Sequence, residues 1–301
     1  MKVYEFNVQE KAVVVANKEA SRVRENLPHA LQVLSGRLSI EVSEPPTNED
    51  YTRKLKARMS GADRIIVAGG DGTLHHMLPL LLEQGKPFGI LPFGTANDFA
   101  RSIGVPPDIN VACDIASGNT FREIDIGTLN GAPFFNVASL GVASAISRLQ
   151  TSERKRQWRV LSYAVSLFQA VRNVKPFRAS ITSDKHPDFK GYVLQTSVGN
   201  GRYHGGGLTS GPDAEIDDGL LHVYTVAATR WWQLIHVVPA LLLGLHKWAS
   251  SVDSFNARRC VIKCRSPQRA TVDGELLDEK QSTYVFEVHN AALRVYAAPQ
   301  R

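Results

Sequence analysis

Residues 65–73, IIVAGGDGT, carry a β-branched run (Ile65, Ile66, Val67) into a turn of three glycines, an aspartate and a threonine. A leucine-rich stretch with helical spacing follows from Leu74. Strand, glycine turn and helix form the layout that presents backbone N–H groups to a phosphate. The lysine of a P-loop is missing, and so is the third glycine of the dinucleotide fingerprint. A negative charge, Asp71, stands in the middle of the turn and has to be explained.

Outward from this turn, the first part of the chain alternates strand and helix signals. KAVVVAN (11–17) is a buried-strand run, EASRVRENLPHALQVL (19–34) has helical spacing with a proline break, and LSIEV (38–42) is a second strand. Thr47 with Asp50 makes a capping box for a helix over 48–59 that Gly61 stops. Two more strands, 64–68 and 87–94, alternate with helices over 74–84 and 97–103, the last ended by Gly104. Repeated βα units predict a parallel sheet with helices on both faces, and ligands beyond the C-terminal strand ends.

Near residue 121 the pattern changes. FREIDIGTL, APFFNVAS, FRASITS, GYVLQTSVGN, GLLHVYTVAA, RRCVIKCRS, QRATVDG and STYVFEVHN read as strands joined by Gly, Asn and Asp turns. Helices interrupt them at about 157–173 and 229–247. The expectation is an α/β domain over 1–125, with about 291–301 as a candidate return to it, and a mostly antiparallel β-rich domain over 126–290.

Bulk properties narrow the classes. The chain has 301 residues, 43% hydrophobic and 21% charged, which suits a globular protein with room for two domains. The net charge of +6 is compatible with anionic substrates, lipid surfaces or a plain solvated surface. Cys113, Cys260 and Cys264 are odd in number and lack zinc spacing, so structural thiols in a reducing compartment are expected. The N-terminal stretch has no signal-peptide core, and the longest apolar run, 234–245, is too short to span a bilayer. A cytoplasmic protein is expected. The basic residues lack interleaved aromatics or a recognition-helix layout, so no nucleic-acid partner is expected.

A second glycine turn, LPFGTANDFAR (91–101), repeats strand, turn and helix start about twenty residues after the first. Two such turns at neighbouring strand ends face one ligand. Gly69, Gly70, Gly72 and Gly94 permit close backbone approach, and Thr73, Thr95 and Asn97 supply neutral donors, so a polyphosphate fits.

The ordered set GGDGT, PFGTANDFAR, IDIG, VGNGRYHGGG, DDGLLHVY and TVDGE resembles the diacylglycerol kinase catalytic-domain family, above all its soluble bacterial YegS-type lipid kinases. The likeness runs over nearly the whole chain. It implies an ATP-binding α/β domain similar to NAD kinases and phosphofructokinases, a β-rich lipid domain and an active site between them. Many relatives carry Asn-Pro and a Ser-Gly pair after the first strand. Here the loop is ANKEAS, where only Asn17 matches on the adenosine side.

The resemblance also assigns roles. Phosphoryl transfer needs positioning and charge neutralisation, with Mg²⁺ bridging phosphate oxygens. Asp71 becomes a carboxylate serving the metal, against the alternative of a turn-stabilising residue. Asp98 and Asp125 match the family's metal and water network; by themselves they read as a helix cap and an edge-strand carboxylate. Glu275 is implied as the general base on the acceptor hydroxyl and Asp273 as its support, where a lone Asp-Gly-Glu would be a hairpin turn. Asp218 with the carbonyls of Glu215 and Leu220 resembles a structural Mg²⁺-type site, against an acidic turn before a strand.

SERKRQWRV (152–160), with Arg154, Lys155, Arg156 and Trp158, suits peripheral contact with an anionic membrane or, alternatively, a solvated loop. Trp231 and Trp232 open another amphipathic stretch. The expected activity is transfer of the ATP γ-phosphate to a lipid hydroxyl at a membrane surface, on diacylglycerol, phosphatidylglycerol or a sphingoid-like acceptor. A kinase of a soluble molecule and a catalytically silent lipid- or nucleotide-binding regulator are the alternatives. Oligomeric state, a homodimer included, is left open by the sequence.

Overall fold

The computed structural model describes residues 9–142, 174–201, 203–204, 208–209, 215–227 and 252–298. The basic-aromatic segment at 152–160, the helices expected at 157–173 and 229–247, and Trp231 and Trp232 lie outside the described residues. The chain divides into two compact units, 1–124 with 291–301, and 125–290.

The first unit contains β1 (Lys11–Ala16), α1 (Ser21–Ser35), β2 (Ser39–Ser43), α2 (Glu49–Gly61), β3 (Arg64–Gly69), α3 (Asp71–Gln84), β4 (Phe88–Pro92), α4 (Asp98–Ser102) and α5 (Ile109–Ala116). The strands pair in the order β2-β1-β3-β4, all parallel. Every residue of β3 and β4 is buried, the mark of a sheet covered on both faces. Helix α1 buries Val23, Leu27, Ala30 and Leu34, one stripe at helical spacing.

Several local expectations are corrected. Pro28 does not break α1, and Pro79 lies inside α3 in the same way. Both prolines are on solvent-facing positions, where water satisfies the carbonyl each one orphans. The cap of α2 is Asn48 rather than Thr47: its side chain accepts the Tyr51 N–H at 2.9 Å. Helix α3 starts at Asp71, three residues earlier than its leucine spacing indicates, so the glycine turn is its first turn. The sequence reading did not see α5, although Asp108 caps it by accepting the Val111 N–H at 3.0 Å.

The second unit begins in β5 (Phe121–Leu129), a strand the chain shares between the units, and continues with β6 (Ala132–Phe134), β7 (Val137–Gly141), β8 (Phe177–Ser183), β9 (Phe189–Gly199), β10 (Tyr203–His204), β11 (Leu208–Thr209), β12 (Leu221–Ala227), β13 (Val252–Ala257), β14 (Arg259–Val272) and β15 (Glu275–Tyr296). Its pairings are antiparallel, in the order β13-β12-β9-β7-β14-β15, with β8 against β9 and β14. Strand β13 was not foreseen. The two strands expected at 258–266 and 268–274 are one, β14, whose register with β15 slips between Lys263 and Gln268. That slip falls at Ser266-Pro267, where proline cannot donate to the ladder. Phe134, Phe177, Leu221, Ile262, Tyr284 and Phe286 anchor the core. All three cysteines are buried and free, and burial pushes the Cys260 thiol up to about 12, which keeps it inert.

The last strand returns to the first unit, where Val295 pairs parallel with Phe88 of β4. Arg64 fastens this return. Its Nε and one terminal nitrogen donate to Glu10 Oε2 at 3.0 and 2.7 Å. The other terminal nitrogen donates to the carbonyls of Ala116 and Gly118 at 3.0 and 2.6 Å. The guanidinium lies 4.2 Å from the centre of the Tyr296 ring. Arg64→Ala orphans two carbonyls and removes the ring's partner, so urea unfolding should show a loss of about 2–4 kcal/mol. Arg64→Lys should recover only part of it, since an ammonium lacks the planar fork.

Candidate active site

Two sets of residues come together, one in each unit. In the first unit they stand at the C-terminal ends of β1, β3 and β4. Gly70 is the N-cap of α3, and the first bond within that helix runs from the Leu74 N–H to the Gly70 carbonyl. The N–H groups of Asp71, Gly72 and Thr73 precede that bond and point out of the helix start, the place where a helix receives an anion. Gly72 is exposed and Thr73 half-buried.

Asp71 turns to the second glycine turn. Its Oδ2 accepts the Asp98 N–H at 3.3 Å and its Oδ1 the Phe99 N–H at 3.1 Å. The two turns also touch through their glycines. A methyl group added to Gly94 would lie 2.5 Å from the Gly70 Cα and 2.5 Å from Asn97 Oδ1. One added to Gly70 would lie 2.8 Å from the Gly94 Cα. One added to Gly69 would run into the Thr73 side chain at 2.6 Å. The absent side chains at 69, 70 and 94 therefore first serve packing of the turns on each other and on Thr73.

Asn97 has the left-handed backbone (φ 50, ψ 44) that asparagine tolerates better than most residues. Its Oδ1 accepts the Gly94 N–H at 2.9 Å, and its Nδ2 donates to the carbonyls of Pro92 and Gly94 at 2.9 and 3.1 Å. The amide expected as a ligand donor thus locks its own turn. Thr95 at the tip is exposed. Asp98 is buried, with an oxygen 3.6 Å from Arg101. Asn17 closes the loop after β1, accepting the Glu19 N–H at 3.1 Å. Arg22, which the sequence reading passed over, donates to the Gly94 carbonyl at 2.8 Å. Nothing in the residue spacing signals that contact, because it joins positions 72 apart.

In the second unit, Asp273 and Gly274 are the two-residue turn between β14 and β15, both at positive φ (48 and 89). This is the primed turn that matches strand twist, and it sets Glu275 opposite Val272 as the first residue of β15. The Asp273 carboxylate accepts three backbone N–H groups, from Phe135 (2.9 Å), Asn136 (2.8 Å) and Val137 (3.1 Å). Glu275 is half-buried beside this fixed turn. Asp125, buried in β5, accepts the Gly219 N–H at 2.6 Å, while its own N–H donates to the Ile216 carbonyl at 2.8 Å. Asp125 therefore holds the 215–220 turn.

Within that turn, Asp218 Oδ1 accepts the Leu220 N–H at 2.9 Å and Oδ2 the Glu215 N–H at 3.2 Å. His222 Nε2 lies 2.8 Å from the same Oδ2, and its Nδ1 lies 3.0 Å from Asn256 Oδ1. Burial pushes the Asp218 carboxyl up, but the His222 hydrogen bond and charge, with the two backbone N–H groups, outweigh it and hold it below its usual value. These donors fill three of the four in-plane acceptor positions of a carboxylate, leaving one. Among the described residues, no group of three or more His, Cys, Asp or Glu side chains has the arrangement of a metal centre. Asp71 fits a cation better: it is half-buried, and each of its oxygens carries one described N–H donor, with an acceptor position to spare.

A parallel α/β unit with joined glycine turns, followed by a β-rich unit bearing a fixed Asp-Gly-Glu hairpin, is the layout of an ATP-grasping kinase of the NAD-kinase-like kind. Residues 11–129 match the model of the diacylglycerol kinase catalytic domain, and residues 136–297 the YegS C-terminal NAD kinase beta sandwich-like domain. The chain belongs to the diacylglycerol kinase catalytic-domain family, in its YegS-type group, and is an enzyme of the kinase class. It is 32% identical over 249 residues to a “Probable lipid kinase YegS-like” of Klebsiella pneumoniae, covering 81% of each chain. It is 30% identical over 251 residues to a “Probable lipid kinase YegS” of Escherichia fergusonii, again covering 81% of each. In structure it is similar to a diacylglycerol kinase of Bacillus anthracis (TM-score 0.71, 21% identity, 96% of this chain and 97% of that one). It is also similar to an NAD kinase of Archaeoglobus fulgidus in complex with ATP (TM-score 0.54, 14% identity, 95% and 93%). At these identities the two structures show the fold alone.

The contact between the turns yields a prediction. Gly94→Ala should lower stability by about 1–3 kcal/mol, because its methyl group meets backbone rather than a flexible side chain. Thr95→Ala, at the exposed tip, should stay within about 0.5 kcal/mol of wild type. Denaturant melts of the two variants check both outcomes.

Proposed function

We propose that the chain is an ATP-dependent lipid kinase that transfers the γ-phosphate to a lipid hydroxyl, with diacylglycerol, phosphatidylglycerol or a sphingoid-like molecule as acceptor class. The observation that carries the reading is the fusion of two glycine turns through Asp71, with the unbonded N–H groups of α3 beside it. The names of the relatives support a lipid rather than a soluble acceptor.

In this reading the N–H groups at Asp71, Gly72 and Thr73, with exposed Thr95, bind the phosphates of ATP, and Asn17 lies on the nucleoside side. Gly69, Gly70, Gly94 and Asn97 keep that cradle in shape. Bound Mg²⁺ would neutralise phosphate charge, with Asp71 as its protein ligand, directly or through water. Asp98 and Asp125 belong to the surrounding polar network. Asp218 with the carbonyls of Glu215 and Leu220 stays a proposed second cation position with one carboxylate acceptor site to offer. Glu275 takes the proton from the acceptor hydroxyl, whose oxygen bonds to the γ-phosphorus as the bond to ADP breaks. Asp273 holds the hairpin from which Glu275 reaches that proton.

Incubation with labelled ATP, Mg²⁺ and a panel of lipids in mixed micelles tests the reading. A labelled product in the organic phase is expected. Label found only on a soluble acceptor would move the chain to the NAD-kinase-like alternative, and nucleotide binding without transfer to any acceptor would make it a silent regulator. Glu275→Gln should lower kcat by about 10²–10⁴-fold with the ATP Kd little changed. Asp71→Asn should instead be partly rescued by higher Mg²⁺.

Peripheral contact with anionic membrane is part of the same proposal. Among the described residues no helix is long and apolar enough to cross a bilayer. Arg154, Lys155, Arg156 and Trp158 supply the basic-aromatic chemistry of a surface contact. Binding to anionic vesicles should weaken as salt rises, since exposed charges are screened over about 8 Å at physiological ionic strength. Charge reversal at Arg154 and Arg156 should cut vesicle binding while sparing turnover of a short-chain dispersed lipid. Equal vesicle binding by variant and wild type would return the segment to a solvated loop.

A further inference from the structure

Asn200 ends the stretch VGN inside a motif whose chemistry the proposed reaction does not use. It is fully buried. Its Nδ2 donates to the Asp125 carbonyl at 2.7 Å and to the Phe135 carbonyl at 3.1 Å. Its backbone N–H donates to the Asn136 carbonyl at 2.8 Å. Both side-chain partners are carbonyl oxygens, so the amide has only one orientation that makes these bonds. Its Oδ1 is then left buried without a donor, as is the Oδ1 of neighbouring Asn136. A group that leaves its own acceptor unsatisfied to bridge two carbonyls is held there by those carbonyls.

What the two carbonyls belong to gives the bridge its meaning. Asp125 holds Gly219 and so the 215–220 turn. Phe135 opens the segment whose three N–H groups hold Asp273, one residue from the start of the Glu275 turn. One side-chain amide therefore spans the segment bearing the network carboxylate and the segment that fixes the base hairpin.

We propose that Asn200 is a positioning residue that locks Asp125 and the Asp273–Glu275 hairpin into one rigid arrangement. Its role in turnover rests on the kinase reading above. No other residue type of this size offers two coplanar donors: aspartate loses them, alanine loses the bridge, and glutamine shifts it by one methylene.

The test has two arms in the full-length protein. In the first, amide hydrogen exchange is compared between wild type and Asn200→Ala, with no nucleotide or lipid added. Exchange should rise together at Asn136 and Val137, the donors to Asp273, and at Gly219, the donor to Asp125, while Asp98 and Phe99 in the other unit stay unchanged. In the second, kcat should fall by about 10- to 100-fold, the loss typical of removing a group that orients a functional one. The ATP Kd should stay constant, and the loss should be far from additive with Asp273→Asn but additive with Asp71→Asn. Should Asn200→Ala fail to fold, Asn200→Asp, which keeps shape and loses the donors, replaces it in both arms. Unchanged exchange at both places, or a kcat within about twofold of wild type in a folded variant, overturns the proposal. If the wild type transfers phosphate to no acceptor, the kinase reading fails, and the exchange arm still decides whether Asn200 couples the two segments.

Discussion

Gly70 and Gly94 meet with no room for a methyl group between them, and directly beside that contact the Asp71 carboxylate takes the first two N–H groups of α4. Much else in the first unit is arranged around this junction. It requires β3 and β4 to be neighbours and parallel, so that two strand ends deliver two turns to one place. It requires Asn97 in a left-handed conformation, since only that turn brings the start of α4 back to Asp71. It also accounts for a carboxylate in a phosphate-type turn: Asp71 joins the two turns whether or not a cation is present.

The second unit solves a related problem differently. Its carboxylates sit in an antiparallel framework where strand pairing alone does not fix turns, and each is tied by backbone N–H groups: three for Asp273, one for Asp125, two for Asp218. Hydrogen bonds to a charged acceptor are among the stronger ones available to a protein. Acidic turns held this way do not depend on side-chain packing, which leaves Glu275 half-buried at the head of its strand.

The fold was legible where periodicity is strong. The β-branched runs at 11–16 and 64–69 announced parallel strands, and the shift near residue 121 announced the antiparallel part. Errors came where one residue outweighs a pattern. Pro28 was read as a break, although its solvent-facing position makes it tolerable in α1, and Ser266-Pro267 split a single strand in two. Of the candidate site, the residue types and turn chemistry could be read, but not their partners. The grip of Asp71 on Asp98 and Phe99 spans 27 and 28 positions, and that of Asp273 on Asn136 spans 137. Arg22 and Asn200 went unnoticed for the same reason: a side chain donating to a distant carbonyl leaves no local trace.

The return of β15 places the end of the described chain inside its first unit. Phe88 pairs with Val295, and Arg64 has the Tyr296 ring as one of its faces. Translation runs the other way, from the first residue to the last. A nascent chain that has released residues 9–120 holds its four parallel strands but has neither the partner of β4 nor the ring over Arg64. The α/β unit therefore acquires its last strand and its buried cation's aromatic neighbour only after the whole intervening β-rich unit has left the ribosome. Vectorial synthesis thus delays closure of the phosphate-binding unit until the base-bearing unit has already been made.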